Sequence, residues 1–235
     1  MATPRAAAVT LNSILDGLTP DRRAKLLRLG TLRRVRAAET AYEAGETIRR
    51  VYFPSTALGS LLVQFAGGET VEAAVVGREG VVGLPLWLGA RATPLTVIWQ
   101  LSGDVWEFPA SIAADPEFGA LRPLVDRYCV ARLAELGVQS ACNRLHSIRQ
   151  RAARWLLTVA DRAGREDLEL THQFVAAMLG SHRPRVSAVL HELAADGLIA
   201  QRRGAIQLAD RGRLTRAACE CYALIRSEYE RLGGR

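Results

Sequence analysis

The residues with the most to offer chemically lie in two short stretches, Ser181 to His191 and Arg202-Arg203. Arg183, Arg185, Ser187 and His191 fall on one side of a helical run, and Arg202 and Arg203 follow in a Gly-containing turn. A guanidinium presents a rigid fork of N–H donors that fits the O6 and N7 acceptors of guanine, and it pairs equally well with phosphate oxygens. His182 and His191 suit a surface that faces phosphates. From Thr171 to Arg216 there are seven arginines against only Glu192, Asp196 and Asp210. The chemistry on offer is recognition of a polyanion.

Two apolar-periodic runs must position these groups. Phe174 and Met178 are four apart, as are Val175 and Leu179, and Val186, Val189, Leu190 and Leu193 recur at helical spacing in the second run. Thr171 and Ser181 are the expected N-caps, since a hydroxyl accepts a hydrogen bond from an orphan amide. Gly180 between the runs tolerates the positive φ of a tight link. An ordinary core hairpin would show the same periodicity. Here, however, Leu198-Ile199 leads into AQRRGAIQL, a strand, an Arg-Arg-Gly turn and a second strand. Two helices followed by such a wing define a winged helix-turn-helix whose second helix enters the major groove of double-stranded DNA.

The 235 residues suffice for two domains, and the net charge of +7 resides almost entirely in arginine, with Lys25 the one lysine. The cysteines, Cys129, Cys142, Cys219 and Cys221, show no C-x-x-C pair, and Cys219 and Cys221 on one helix would point apart. Cys129 and Cys142 read as small buried hydrophobes or as redox links at a dimer interface. The opening MATPRAAAVTLNSIL lacks a signal-peptide core, and no apolar run of about eighteen residues exists, so a cytoplasmic protein without membrane contact is expected.

Along the chain, Thr19-Pro20 starts a helix that Gly30 should end. LRRVRA, ETAYEA, RRVYFP, LGSLLVQF, TVEAAVV, LTVIWQL and DVWEFP then read as short strands separated by Gly-containing turns, the pattern of a jelly-roll barrel. GVVGLPLWLGARA sits among them as a turn with a short helix. Beyond Asp115-Pro116 a long helix is apolar over a wide arc, through Leu121, Leu124, Tyr128, Leu133 and Leu136. Such an arc packs on its own domain and on a partner, or lies wholly inside a monomer core. HSIRQRAARWLLTVADRAG is a second helix burying Trp155, Leu156 and Val159. DRGRLTRAACECYALIRSEYERL is expected as one terminal helix with Leu214, Ala218, Cys221, Leu224 and Ile225 inward.

This order, with AGETIRRVYFPSTALGSLL, VVGREGVVGLP, HSIRQRAARWLL and HRPRVSAVLHELAADGLI as its carriers, resembles the Crp/Fnr family of bacterial transcription regulators. The resemblance implies an α+β chain in three parts: a cyclic-nucleotide-binding-like jelly-roll sensor over 1–114, a dimerisation helix over 115–145, and a winged helix-turn-helix over 146–235. It further implies a homodimer joined through Leu121, Leu124, Tyr128 and Leu136, with RNA polymerase as a candidate partner. Arg183 matches the family's guanine-reading arginine, and Ser181 and Arg185 match phosphate-facing positions. Pro184 replaces a commonly acidic residue, and Ala188 stands where many members carry a second base-reading arginine.

The sensor departs from the nucleotide-binding members. Gly83 is followed by Leu84 rather than Glu, and Thr93-Pro94 occupies the phosphate clamp, so no charge there opposes a phosphate. Arg91 serves only if the loop is shifted, and Glu79 is the remaining ribose partner. Gly83, Leu84, Arg91, Thr93, Pro94 and Tyr128 are the candidate pocket for an unidentified effector. No cysteine precedes Cys129 and no histidine precedes His146, which argues against an iron–sulfur cluster, a haem or a cupin-like metal enzyme in the barrel. Neither a cofactor nor a metal is expected. A cupin-like enzyme and a module that does not bind DNA stay as the competing functions.

Overall fold

A computed structural model describes residues 12–233; the expectation about the first residues of the chain falls largely outside them. Short helices α1 (Ser13–Asp16) and α2 (Pro20–Leu27) precede seven strands: β1 (Thr31–Val35), β2 (Thr40–Tyr42), β3 (Arg50–Pro54), β4 (Leu58–Gln64), β5 (Thr70–Val76), β6 (Thr96–Leu101) and β7 (Gly103–Pro109). Every expected strand is present. They form two antiparallel sheets, ordered β1-β7-β3 and β2-β6-β4-β5. Inward side chains fill the barrel, with Phe53 edge-on to Phe108 at 5.7 Å and Tyr52 edge-on to Trp99 at 5.5 Å. The insert between β5 and β6 carries a 3-10 turn over Leu84–Leu88. Helix α2 stops at Leu27, ahead of Gly30, and Thr19 makes no side-chain cap.

The long helix α3 runs Arg122–Leu145, and the residues before it, Pro116–Leu121, form a 3-10 turn rather than its first turns. Gly80 lets α3 lie close on the barrel, because a Cβ there would sit 2.5 Å from the Tyr128 ring. Helix α4 (Ile148–Ala163) opens on a capping box of Ser147 and Gln150 and is buried almost all round. The cause is position: Leu156 and Val159 share one core with Leu58, Leu62, Val75 and Leu101 of the barrel and with Val175, Leu190 and Ile206 downstream. The barrel and the C-terminal region therefore share packing through α4.

The terminal segment corrects the single-helix expectation. It breaks into α7 (Arg211–Ala217) and α8 (Cys221–Gly233). Ala218 takes an extended conformation (φ −75°, ψ 160°), which ends α7 and turns Cys219 toward the interior. Leu214, Cys221 and Ile225 are buried as expected, whereas Leu224 is 54 % exposed.

Where α3, α4 and α8 meet lies a buried charge network. Glu135 accepts hydrogen bonds from Arg132 (2.7 Å), Arg162 (2.8 Å) and the Tyr229 hydroxyl (2.7 Å), and Arg162 also pairs with Glu79 at 3.2 Å. Both arginines donate to the Val75 carbonyl. Burial pushes the Glu135 carboxyl up, but the two guanidiniums outweigh it and hold the group at about 2.

Candidate nucleic-acid interface and barrel cavity

Helices α5 (His172–Met178) and α6 (Arg183–Ala195) cross at Gly180, whose φ is +58°. Thr171 caps α5 by accepting from the Phe174 amide at 3.1 Å. The expected Ser181 cap is absent, because α6 begins at Arg183 and its N-cap position is His182, which makes no side-chain cap. Pro184 lies in the first turn, where a missing N–H costs no intrahelical bond, so α6 runs unbroken. Val186, Val189, Leu190 and Leu193 are buried, while His182, Arg183, Arg185, Ala188 and His191 are exposed on the other side. The wing is β9 (Ile199–Arg202) and β10 (Ala205–Leu208), joined through Arg203 and Gly204 (φ +75°), with the two-residue β8 (Asp167–Leu168) on the far edge of β10.

Ser187 occupies a different place from its exposed neighbours. Its hydroxyl lies 3.0 Å from His172 Nδ1, and His172 Nε2 lies 2.8 Å from Gln201 Oε1. Gln201 in turn donates from Nε2 to the Leu190 carbonyl at 2.7 Å. For Nε2 to donate to Gln201, Nδ1 must accept, so the hydroxyl hydrogen of Ser187 is directed at His172. Ser187 and His172 thus lock α5, α6 and the wing together. The sequence gives no sign of this, since the partners come from three elements with no shared period. Of the basic surplus, Arg211 is held by Asp161, Glu166 and Tyr222, and Arg202 donates to Gln207 at 3.1 Å. Arg183, Arg185 and Arg203 are exposed and have no carboxylate partner among the described residues.

Between the barrel and α3 is a cavity of about 310 Å³. Of the candidate pocket residues, Gly83, Leu84, Thr93 and Tyr128 line it, together with Ala74, Val76, Leu133 and Leu136; Arg91 and Pro94 do not. Its one charged lining residue, Arg132, is spent on Glu135 and the Val75 carbonyl. Glu79 is likewise committed, to Arg162 and the Gly77 amide, so it is no ribose ligand. Two expected dimer-interface residues also change place. Leu121 (1 % exposed) and Tyr128 (5 %) belong to the chain's own core, and Leu124 packs against that core. Leu136 (41 %) is exposed, as are Val130 (49 %) and Leu133 (64 %), an exposed apolar stripe along α3 of which Leu133 and Leu136 also line the cavity.

The cysteines also depart from expectation. Cys219 lies in the link before α8, so it and Cys221 do not point apart but converge with Cys142 on one buried cluster. Cys142 Sγ is 3.5 Å from Cys219 Sγ, and Cys129 stands apart, half-buried. Burial pushes the Cys142 thiol up, yet the Arg154 charge and hydrogen bonds from His146 and the other two cysteines bring it below its ordinary value.

A β-barrel joined by a long helix to a winged helix-turn-helix with free arginines on its outer helix is the build of a DNA-binding regulator. Residues 150–217 match the family model of the Crp-like helix-turn-helix domain. Among solved structures, the chain is similar to a CRP-family transcriptional regulator from Thermus thermophilus, at 25 % identity over 79 % of this chain and 96 % of that one (TM-score 0.66). The fold also matches a second regulator of the CRP/FNR family from the same organism (24 % identity, 80 % and 98 % covered, TM-score 0.64). FixK2 from Bradyrhizobium japonicum shares it too (20 %, 81 % and 98 %, TM-score 0.62). No curated protein matches. Residues 150–217 thus form a Crp-like helix-turn-helix domain, and the chain around it has the architecture of CRP/FNR-type transcription regulators.

Proposed function

We propose that the protein works as a homodimer on a two-fold operator, with 1–114 as sensor, 115–145 as dimerisation helix and 146–235 as DNA-binding domain. The observation that carries this reading is the set of exposed, unpaired arginines on α6 and in the wing. Arg183, in the first turn of α6, reads a guanine edge, and Arg185, Arg203 and Arg202 hold phosphates, with Ser181, His182 and His191 beside them. Ala188 leaves the middle of the helix without a hydrogen-bonding reader. Ser187 acts indirectly, by fixing α6 through His172. Dimerisation uses the Val130, Leu133 and Leu136 stripe, which a soluble chain would cover.

The cavity beside that stripe suits a small, uncharged, apolar effector, since its lining is apolar and its arginine is already paired. A ligand there would touch Leu133 and Leu136 and so act on the dimer helix. The protein would serve in the cytoplasm, acting at promoters on RNA polymerase. Genome-wide footprinting of the native protein tests the reading: protected sites should share a dyad with half-sites about one helical turn apart. Footprints lacking a dyad would remove the dimeric arrangement.

A further inference from the structure

The end of α3 and the link before α8 bring together four side chains that the DNA-binding function leaves unused. Cys142 and His146 are four residues apart, on the same face of the last turn of α3, with His146 as its C-cap. Cys219 and Cys221 approach from the opposite side. One ligand atom from each lies within 4.8 Å of all the others. Within the set, Cys142 Sγ to Cys219 Sγ is 3.5 Å and Cys221 Sγ to His146 Nδ1 is 3.6 Å. A tetrahedral zinc ion with bonds of about 2.3 Å to sulfur separates its ligand atoms by about 3.8 Å, so the four groups are already at mononuclear spacing. The thiol sulfurs of an iron–sulfur cluster would stand farther apart.

We propose that Cys142, His146, Cys219 and Cys221 form a Cys3His site for a zinc-like divalent ion, which clamps α8 to the junction of α3 and α4.

Three further observations fit a thiolate-rich metal site. All three cysteines are at least 95 % buried, at 0, 3 and 5 % exposure, which keeps competing water away. His146 offers Nδ1 to the cluster while its Nε2 lies 3.2 Å from the Glu220 carboxylate. That is the orientation in which a carboxylate fixes the ring and makes the ligating nitrogen more basic. Three thiolates around a divalent ion leave one net negative charge. Arg154, 4 % exposed, interacts electrostatically with Cys142 and Cys219, and its buried Nε has no hydrogen-bond partner among the described residues. A bound ion would join the end of the long helix, through His146, to α8, which packs along α3 and carries Tyr229 into the Glu135 network. Metal loading would therefore set how firmly the DNA-binding half is attached.

The full-length protein, purified under reductant and without chelator, decides this by elemental analysis. About one zinc per chain is expected, released by a mercurial thiol reagent and retained in Cys129→Ser. Reduced apoprotein titrated with Co2+ should develop thiolate-to-cobalt charge-transfer bands and the visible bands of a tetrahedral ion. Cys219→Ser and Cys221→Ser should each lose most of the bound metal, and His146→Gln should shift the cobalt spectrum. If the cysteine variants fail to fold, the wild-type cobalt spectrum and the mercurial release still decide. Zinc content below about a tenth of an ion per chain together with no cobalt bands overturns the proposal, as does stoichiometric zinc that survives Cys219→Ser in a folded protein.

Discussion

The indole N–H of Trp155 on α4 donates to Glu72 Oε1 on β5 at 2.8 Å, a polar contact between the helix that leads into the helix-turn-helix and the β-barrel. Ser60 Oγ lies 2.7 Å from both Glu72 Oε2 and Gln100 Oε1. A hydroxyl has one hydrogen, so a protonated Glu72 can donate to Ser60 while Ser60 donates to Gln100.

Burial pushes the Glu72 carboxyl up to about 7, against the opposing pull of the Trp155 and Ser60 hydrogen bonds and the charges of Arg162 and Arg132. A folded-state value above the ordinary one gives stability that is complete below about pH 4.5 and lost as pH rises through 7. Glu72 should thus favour the folded state by on the order of 1 kcal/mol more at pH 5.5 than at pH 8, the full linkage value being halved for partial solvent screening. Thermal unfolding between these pH values, compared with Glu72→Gln, measures it. The variant should be more stable than wild type at pH 8 and show a flatter pH profile; parallel profiles would separate Glu72 from the effect.

The Glu135 network titrates in the opposite sense. Its folded value of about 2 lies below the ordinary carboxylate value, so its contribution is complete above about pH 4.5 and fades as pH falls through 2. Glu135→Gln leaves Arg132 buried without a carboxylate and Arg162 with only Glu79. A loss of about 3–5 kcal/mol in denaturant unfolding at pH 7 is expected. A loss under about 1 kcal/mol would mean that water enters the network.

These two networks mark the limit of what the sequence discloses. Alternation in LGSLLVQF and TVEAAVV and helical spacing from Val186 to Leu193 expose strands and recognition helix, because burial on one side leaves a period within a single segment. Glu72, Glu79, Glu135 and Arg162 each look like ordinary surface charges in their own segments. Their partners lie in other elements, so no local period records the pairing. The same holds for Cys142 and Cys219, whose approach depends on a helix break at Ala218 that no Gly or Pro announces. The wide apolar arc of α3 is legible as an arc. Which of its residues face inward depends on Gly80 receiving Tyr128.

The exposed stripe on α3 leads to a test of assembly. Leu133→Glu and Leu136→Glu place charge on positions 64 % and 41 % exposed in the single chain, so neither should unfold it. Sedimentation should show the double variant as a monomer under conditions in which wild type is a dimer. An unchanged profile would place the interface elsewhere.

For the cavity, calorimetry with cyclic AMP should give no micromolar binding, since a buried phosphate needs a free cation and Arg132 is already paired. An apolar fluorescent probe should bind, and Ala74→Phe, which fills the lining, should weaken it at least several-fold. Tight cyclic AMP binding would show that Arg132 leaves Glu135 on ligation.

The last prediction separates reading from holding. Arg183 sits in the first turn of α6, beside Pro184, whose ring fixes the backbone that aims it. If Arg183 meets a guanine edge, Arg183→Ala should cost about 1–3 kcal/mol on the native operator and flatten preference at one base pair in each half-site. Arg185→Ala and Arg203→Ala should instead weaken every sequence alike and lower the salt slope by about one for each phosphate no longer neutralised. His172→Ala forms a third class. It touches no DNA, yet frees Ser187 and Gln201, so it should loosen α6 against the wing and reduce specific more than nonspecific affinity. Titrations on native and base-substituted operators at several salt concentrations resolve the three patterns. Equal loss on all operators for Arg183→Ala would make it a phosphate contact and move base reading to another residue of α6.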